Sequence, residues 1–178
     1  GYVSADSLRV ANALNAELSH FEHIIDPAMT LHVQTVRARL FLAKREDKRN
    51  NCDLAMQILI DILDEQKDYV PALLGMAQAF LIDGQDTKAK NALKRLTKLP
   101  YSHEYADDLE RGYLLLADMY VNKNKFDMAE DLCNRCLKFN LSCGRAWETM
   151  GHIREKEASY KDAADMYEKA WLLEHETS

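Results

Sequence analysis

The sequence predicts an all-α fold, a right-handed superhelical solenoid of helix-turn-helix units. Three observations carry this. Ala55, Ala89, Ala129 and Ala163 recur at steps of 34, 40 and 34 residues. A second small-residue series, Ala43, Ala77, Ala117 and Gly151, runs twelve positions upstream of the first each time. The 178-residue chain holds only 3 Pro and 6 Gly, and most of them fall between the apolar periodic segments. Two registers moving together mark internal duplication, and each unit of such an array buries its apolar face on the next.

About nine helices follow from the apolar periodicity. Leu8, Ala11, Leu18 and Phe21 trace one stripe over about 5–24, and Pro27 is expected to break it. Four helix pairs come next. Repeat one pairs about 30–48 with 52–66, and repeat two pairs 70–82 with 86–98. Repeat three pairs 108–122 with 126–139, and repeat four pairs 143–157 with 160–173. Asp83-Gly84 and Asn122-Lys123-Asn124 supply residues that tolerate the left-handed conformation at helix ends. Pro71 suits a first helical turn, and Pro100 closes repeat two. The organisation is therefore a leading helix and turn over 1–35, then repeats over 36–69 and 70–103. An insert over 104–109 precedes repeats over 110–143 and 144–178.

The small residues have a physical cause. Antiparallel helices joined by a short turn pack about 8–10 Å apart, at a distance set by the side chains in contact. Where they come nearest, Ala or Gly fits best. Larger residues keep the same step: Leu42, Met76, Leu116 and Met150 on the first helices, Leu59, Leu93, Cys133 and Tyr167 on the second.

These registers resemble the tetratricopeptide repeat, a 34-residue helix-turn-helix unit. Repeat four is nearest to the pattern, with Trp147, Met150, Gly151, Tyr160, Ala163, Tyr167 and Ala170 at the signature positions. Repeat three offers Tyr113, Leu116, Ala117, Tyr120, Phe126 and Ala129. Repeat one departs most, because Arg39 and Glu46 stand where the family has large aromatics. Beyond the generic pattern, "LLLAD", "DMAEDL", "RCL" and "EKE" within 70–173 resemble the C-terminal part of the long all-repeat subunits of intraflagellar transport complex A. That resemblance implies a non-catalytic scaffold supporting retrograde ciliary transport. Its implied partners are the other subunits of that complex and neighbours in the transport train. Its implied location is the cilium or flagellum, at axoneme and basal body, with the cytoplasm and cytoskeleton. The alternative is a generic repeat adaptor in a chaperone or ubiquitin-ligase assembly. A regulatory repeat domain belonging to a larger enzyme is a third class.

Composition narrows the options. A net charge of −6 argues against nucleic acid as the main partner. No apolar run of about 18 residues exists, so no direct membrane insertion is expected. There is no G-x-x-x-x-G-K or G-x-G-x-x-G, and no arrangement for nucleophilic catalysis, so no cofactor and no small-molecule substrate are expected. Cys133, Cys136 and Cys143 carry a C-x-x-C, yet the first two sit in register with Tyr167 and Ala170 on a packing face. They read as small core residues, not as metal ligands. His20 and His23 read as solvated or packed, and the run from Lys44 to Arg49 as a solvated helix end.

Function in such an array is expected on exposed faces. Groove positions read Leu74, Gln78, Leu81 and Ile82 in repeat two. In repeat three they read Arg111, Leu114, Asp118 and Asn122, and in repeat four Arg145, Glu148, His152 and Lys156. The family's carboxylate clamp requires Asn where Asp118 and His152 stand, so that clamp is absent. Leu74, Leu81 and Ile82 form an apolar patch suited to a partner helix, or to packing on the next repeat. The insert allows two readings. One is a longer turn, with Asp107 and Asp108 favouring the following helix N-terminus. The other is a protruding loop whose Tyr101 and Tyr105 dock on a neighbour. Trp171, Leu172 and Leu173 are expected to form an open apolar end that another repeat or subunit covers.

Overall fold

A computed structural model describes residues 9–10, 12–17 and 27–176. Residues 12–17 are helical, and eight longer helices follow: α1 Pro27–Ala43, α2 Lys48–Glu65, α3 Val70–Ile82, α4 Asp86–Thr97, α5 Ala106–Asn122, α6 Phe126–Phe139, α7 Gly144–Lys156 and α8 Tyr160–Glu176. No strand occurs among the described residues. The chain divides into two compact units, one ending at Leu96 and the other beginning at Thr97. Much of the expected 5–24 helix, with His20 and His23, lies outside the described residues.

In the first unit α1 packs on α2, and α3 packs on both. Leu59 of α2 lies against Gly75 of α3, where an added Cβ would stand 3.0 Å from a Leu59 methyl. Ala55, Leu59, Ala77, Ala89 and Leu93 are fully buried, as the two registers require. Arg95 holds the preceding α2–α3 turn by donating to the Lys67 carbonyl, with Asp68 3.5 Å away.

Repeat one departs from its expected bounds. Pro27 occupies the first position of α1, where its missing N–H costs nothing, and the stretch just before it lies outside the described residues. The helix ends at Ala43, five residues before the expected end. Ala43 is exposed, and Ala38 is fully buried. Ala38 precedes its helix end by the same five residues as Ala77, Ala117 and Gly151 precede theirs. The physical reason is the segment from Lys44 to Asn51, which has no apolar residue to extend a buried stripe. The chain turns instead, with Asp47 left-handed at φ 49°.

In the second unit α5 pairs with α6, α7 packs on both, and α8 pairs with α7. Its core holds Leu109, Tyr113, Leu114, Leu116, Cys133 and Ile153. Arg135 plays the part of Arg95 one repeat on: its guanidinium donates to the Thr97 carbonyl at 2.5 Å and lies 4.6 Å from the Tyr113 ring centre. Three turns share one construction. Gly84, Asn124 and Ala158 are left-handed, at φ 74°, 58° and 61°. The next residue donates back five positions in each: Gln85 to Phe80, Lys125 to Tyr120 and Ser159 to Arg154, at 2.8–2.9 Å. This is the Schellman closure of a helix end.

A candidate partner-binding surface

The open surface of the second unit forms where α5 and α7 lie side by side. Arg111 and Asp118 on α5 are exposed, as are Arg145, Glu148 and His152 on α7. Helical spacing of three, four and seven residues puts each set on one face. Desolvation raises the Asp118 carboxyl above its ordinary value, and Arg145 and His152 oppose that while Glu148 adds to it. The four groups therefore act on one another. The trough presents both signs of charge, and Asp118 repels a partner carboxylate.

Behind the trough, α8 is fixed by polar contacts. Tyr167 Oη donates to Glu155 Oε2 at 2.7 Å. The His152 ring meets the Tyr167 ring edge-on, with centres 5.6 Å apart. Burial and then the Glu155 carboxylate push the Tyr167 hydroxyl up to about 12. Arg154 joins α7 to α6 through a two-pronged pair with Glu130, at 2.6 and 3.1 Å, and also donates to Glu157. Trp147 Nε1 donates to the Leu141 carbonyl at 3.2 Å, and Lys169 Nζ lies 4.0 Å from the Trp147 ring centre. A cleft of about 530 Å³ opens between α7 and α8, bordered by Arg145, Glu148, Tyr167, Trp171 and Glu174. Trp171 and Leu172 are exposed beside it, and Leu173 is half-buried.

Other expected groove residues do not line an open face. Leu74 is 1% exposed, because α3 is apolar around its circumference and residues 70–77 are all buried. Leu114 is buried to the same degree. Gln78 and Leu81 are half-buried, and Ile82 alone of the proposed patch is exposed, at 48%. The continuous apolar groove along repeat two is therefore not formed. Ile82 instead borders a hollow with Phe41, Leu42, Lys44 and Cys52.

The insert is not a protruding loop. Tyr101 stacks on Phe139 at the end of α6, with ring centres 3.9 Å apart and planes within 4°. His103 meets Tyr101 edge-on at 5.3 Å. Tyr105 is half-buried and accepts the Leu109 N–H at 2.9 Å as α5 begins. Asp107 and Asp108 occupy the first turn of α5, as the longer-turn reading expects. Glu110 and Phe139 escaped the sequence reading. Only the exposed aromatic at a helix end hinted at Phe139.

All four cysteines are buried and free. Desolvation pushes the Cys133 thiol up to about 12 and the Cys143 thiol up to about 11, and raises Cys136 further. Cys52 donates to the Ala79 carbonyl at 3.4 Å. These thiols pack as small apolar groups and are poor nucleophiles. Among the described residues, no three His, Cys, Asp or Glu side chains gather as for a metal ion. None of the described helices is long and apolar enough to cross a membrane.

Comparison with known proteins agrees with this architecture. The crystal structure of MamA superposes with a TM-score of 0.68, covering 99% of this chain and 98% of that one at 16% identity. A second MamA structure gives 0.65 over 95% of this chain and 87% of its own. At that identity the likeness concerns the fold. Mouse tetratricopeptide repeat protein 21A is 49% identical over 137 residues, 77% of this chain and 10% of its own length. Mouse tetratricopeptide repeat protein 21B is 44% identical over 155 residues, covering 83% and 12%. The 21 homolog of Caenorhabditis elegans is 38% identical over 107 residues, covering 60% and 8%. The chain thus spans about a tenth of the length of these relatives. The family described as the tetratricopeptide repeat protein 21 C-terminal ARM domain matches residues 10–178. With its buried small-residue registers and repeated Schellman turns, the chain belongs to the tetratricopeptide repeat protein 21 family.

Proposed function

We propose that this chain is part of a non-catalytic scaffold subunit of intraflagellar transport complex A, supporting retrograde ciliary transport through protein–protein contacts. The observation that carries this reading is its place in the tetratricopeptide repeat protein 21 family over residues 10–178. The proposed partners are the other subunits of that complex and neighbouring train components, within the cilium and at the basal body. The surface supports such a role in chemical terms. Arg111, Asp118, Arg145 and His152 form an open face with both signs of charge. Such a face favours register and selectivity over affinity alone. The thiols, by contrast, are shut in the core with raised pKa values, which suits packing over catalysis.

Affinity purification of the tagged full-length protein from ciliated cells tests the reading. Recovery of transport-complex subunits is expected. The charge-reversed pair Arg145→Glu and Asp118→Lys should reduce that recovery without lowering the amount of folded protein. Recovery of Hsp90 or ubiquitin-ligase subunits with no transport subunit overturns the assignment.

A further inference from the structure

The six residues that lengthen the step from Ala89 to Ala129 build more than a turn. They help enclose a pocket of about 240 Å³ at the junction of the insert, the start of α5 and the end of α6. Tyr101, His103, Tyr113 and Phe139 supply aromatic lining, and Asp107 and Glu110 supply carboxylates. No lysine or arginine borders it. Drug-sized sites run to about 300–1,000 Å³, so this pocket suits one amino-acid side chain.

We propose that this pocket receives an arginine side chain of a partner protein. Asp107 and Glu110 are three residues apart, on one face of α5. Asp107 offsets the positive end of the helix on which it sits, so it does not act as a full free charge. Glu110 lies further along. It accepts Asn140 Nδ2 at 3.1 Å. A carboxylate offers about four lone-pair directions, so this contact orients Glu110 and leaves acceptor capacity. From residue 101 to 110 the chain carries four acids and no lysine or arginine. These acids favour a cation at the pocket mouth, against the opposing charge of Arg135 beside Tyr113.

The aromatic lining selects among cations. A guanidinium is planar and weakly hydrated, so it stacks on a ring while its N–H groups reach carboxylates. An ammonium gains less from a flat wall. The chain already uses this arrangement beside the pocket, where Arg135 covers Tyr113 and donates to the Thr97 carbonyl. Insertions in repeat arrays commonly fall on the face that binds partners. The proposal rests on the scaffold reading only in assigning the arginine to another protein.

The test uses a small probe, so its failure is separable from failure of the transport assignment. The 15N-labelled chain is titrated with N-acetyl-arginine amide and, separately, with its neutral isostere N-acetyl-citrulline amide. Saturable shifts are expected at the amides of His103, Asp107, Glu110 and Asn140. Citrulline should bind about tenfold more weakly, through loss of one charge-assisted hydrogen bond. Asp107→Asn should weaken arginine binding about fivefold, the upper end for an exposed ion pair. Tyr101→Leu keeps both carboxylates and should weaken binding through the lost wall. Asp131→Asn, an exposed acid of α6, should change nothing. Circular dichroism verifies that each variant keeps its helices. Equal responses to arginine and citrulline, unsaturable shifts, or an equal loss with Asp131→Asn would overturn the proposal.

Discussion

Repeats three and four set the same 34-residue register against two different fillings. In repeat three the first helix offers Ala117 and the second Cys133, and both are fully buried. In repeat four the equivalent residues are Gly151 and Tyr167. A Cβ added at Gly151 would lie 2.7–3.0 Å from three carbons of the Tyr167 ring. A larger second-helix residue is thus matched by a smaller one on the first. The contrast extends outward. Leu114 and Leu137 are buried, whereas their equivalents Glu148 and Trp171 are exposed. The register therefore specifies where two helices approach and how much volume they share. It leaves open which residue supplies the volume, and on which side the repeat is covered.

The largest effect expected from this contrast lies at its outer positions. Leu114→Ala should cost about 2–5 kcal/mol, because a fully buried leucine leaves a cavity. Glu148→Ala, at the same register position, should stay within about 0.5 kcal/mol, as for an ordinary surface change. Urea unfolding of both variants checks this, and equal costs would break the contrast. The inner pair comes next. Gly151→Ala should destabilise the chain by about 1–3 kcal/mol, the usual cost of overpacking. Tyr167→Cys rebuilds the pair of repeat three and should relieve part of that cost. A double-mutant cycle reads the relief directly, with about 0.5–3 kcal/mol of coupling expected for residues in contact.

The same comparison explains what the sequence made legible. Ala55, Ala89, Ala129 and Ala163 could be read because close approach repeats at a fixed step, and all four are buried. The first helix of repeat one could not be read that way. Ala43 satisfies the spacing, yet the apolar stripe runs in another phase and ends on Ala38. The uniformly charged and polar Lys44–Asn51 was the available sign. Leu74 was misplaced because a helix apolar all round has no periodicity to separate a groove from a core. Tyr101 lies in a loop and has no period either. Its partner Phe139 stands far along the chain, so their stacking had no local signal. The placing of Asp118, Arg145 and His152 on exposed faces of adjoining first helices followed directly from the register.

The thiols sharpen the contrast in solution. Cys133 is sealed, whereas Tyr167 is only partly covered. Desolvation raises Cys133 from an ordinary value of 9.0 to about 12. The folded chain then holds a proton that the unfolded chain releases, so stability falls as pH rises across that window. Below pH 9 the contribution is fully present; toward pH 12 it is lost. Urea midpoints taken on either side of pH 9 should show the fall, and Cys133→Ala should make it shallower. At neutral pH the native chain should resist thiol reagents that label all four cysteines once it is unfolded. Rapid labelling of native Cys133 would show that repeat three is open as repeat four is.

The smallest expected effect concerns the turns, where the repeats agree in geometry and differ in residue. Gly84, Asn124 and Ala158 all take the left-handed conformation. Only glycine does so without steric cost, asparagine does so with some local compensation, and alanine pays about 1–2 kcal/mol. Ala158→Gly should therefore stabilise the chain by about 0.5–1 kcal/mol, the relief less the extra entropy of glycine in the unfolded state. Gly84→Ala should lose about 1 kcal/mol. No atom lies within 4 Å of a Cβ built at Gly84, so packing does not enter and the backbone alone is measured. Asn124→Gly should fall nearer zero than Ala158→Gly. Thermal midpoints of the three variants give the order. A neutral or destabilising Ala158→Gly would mean that its turn is not closed in the same left-handed way as the other two.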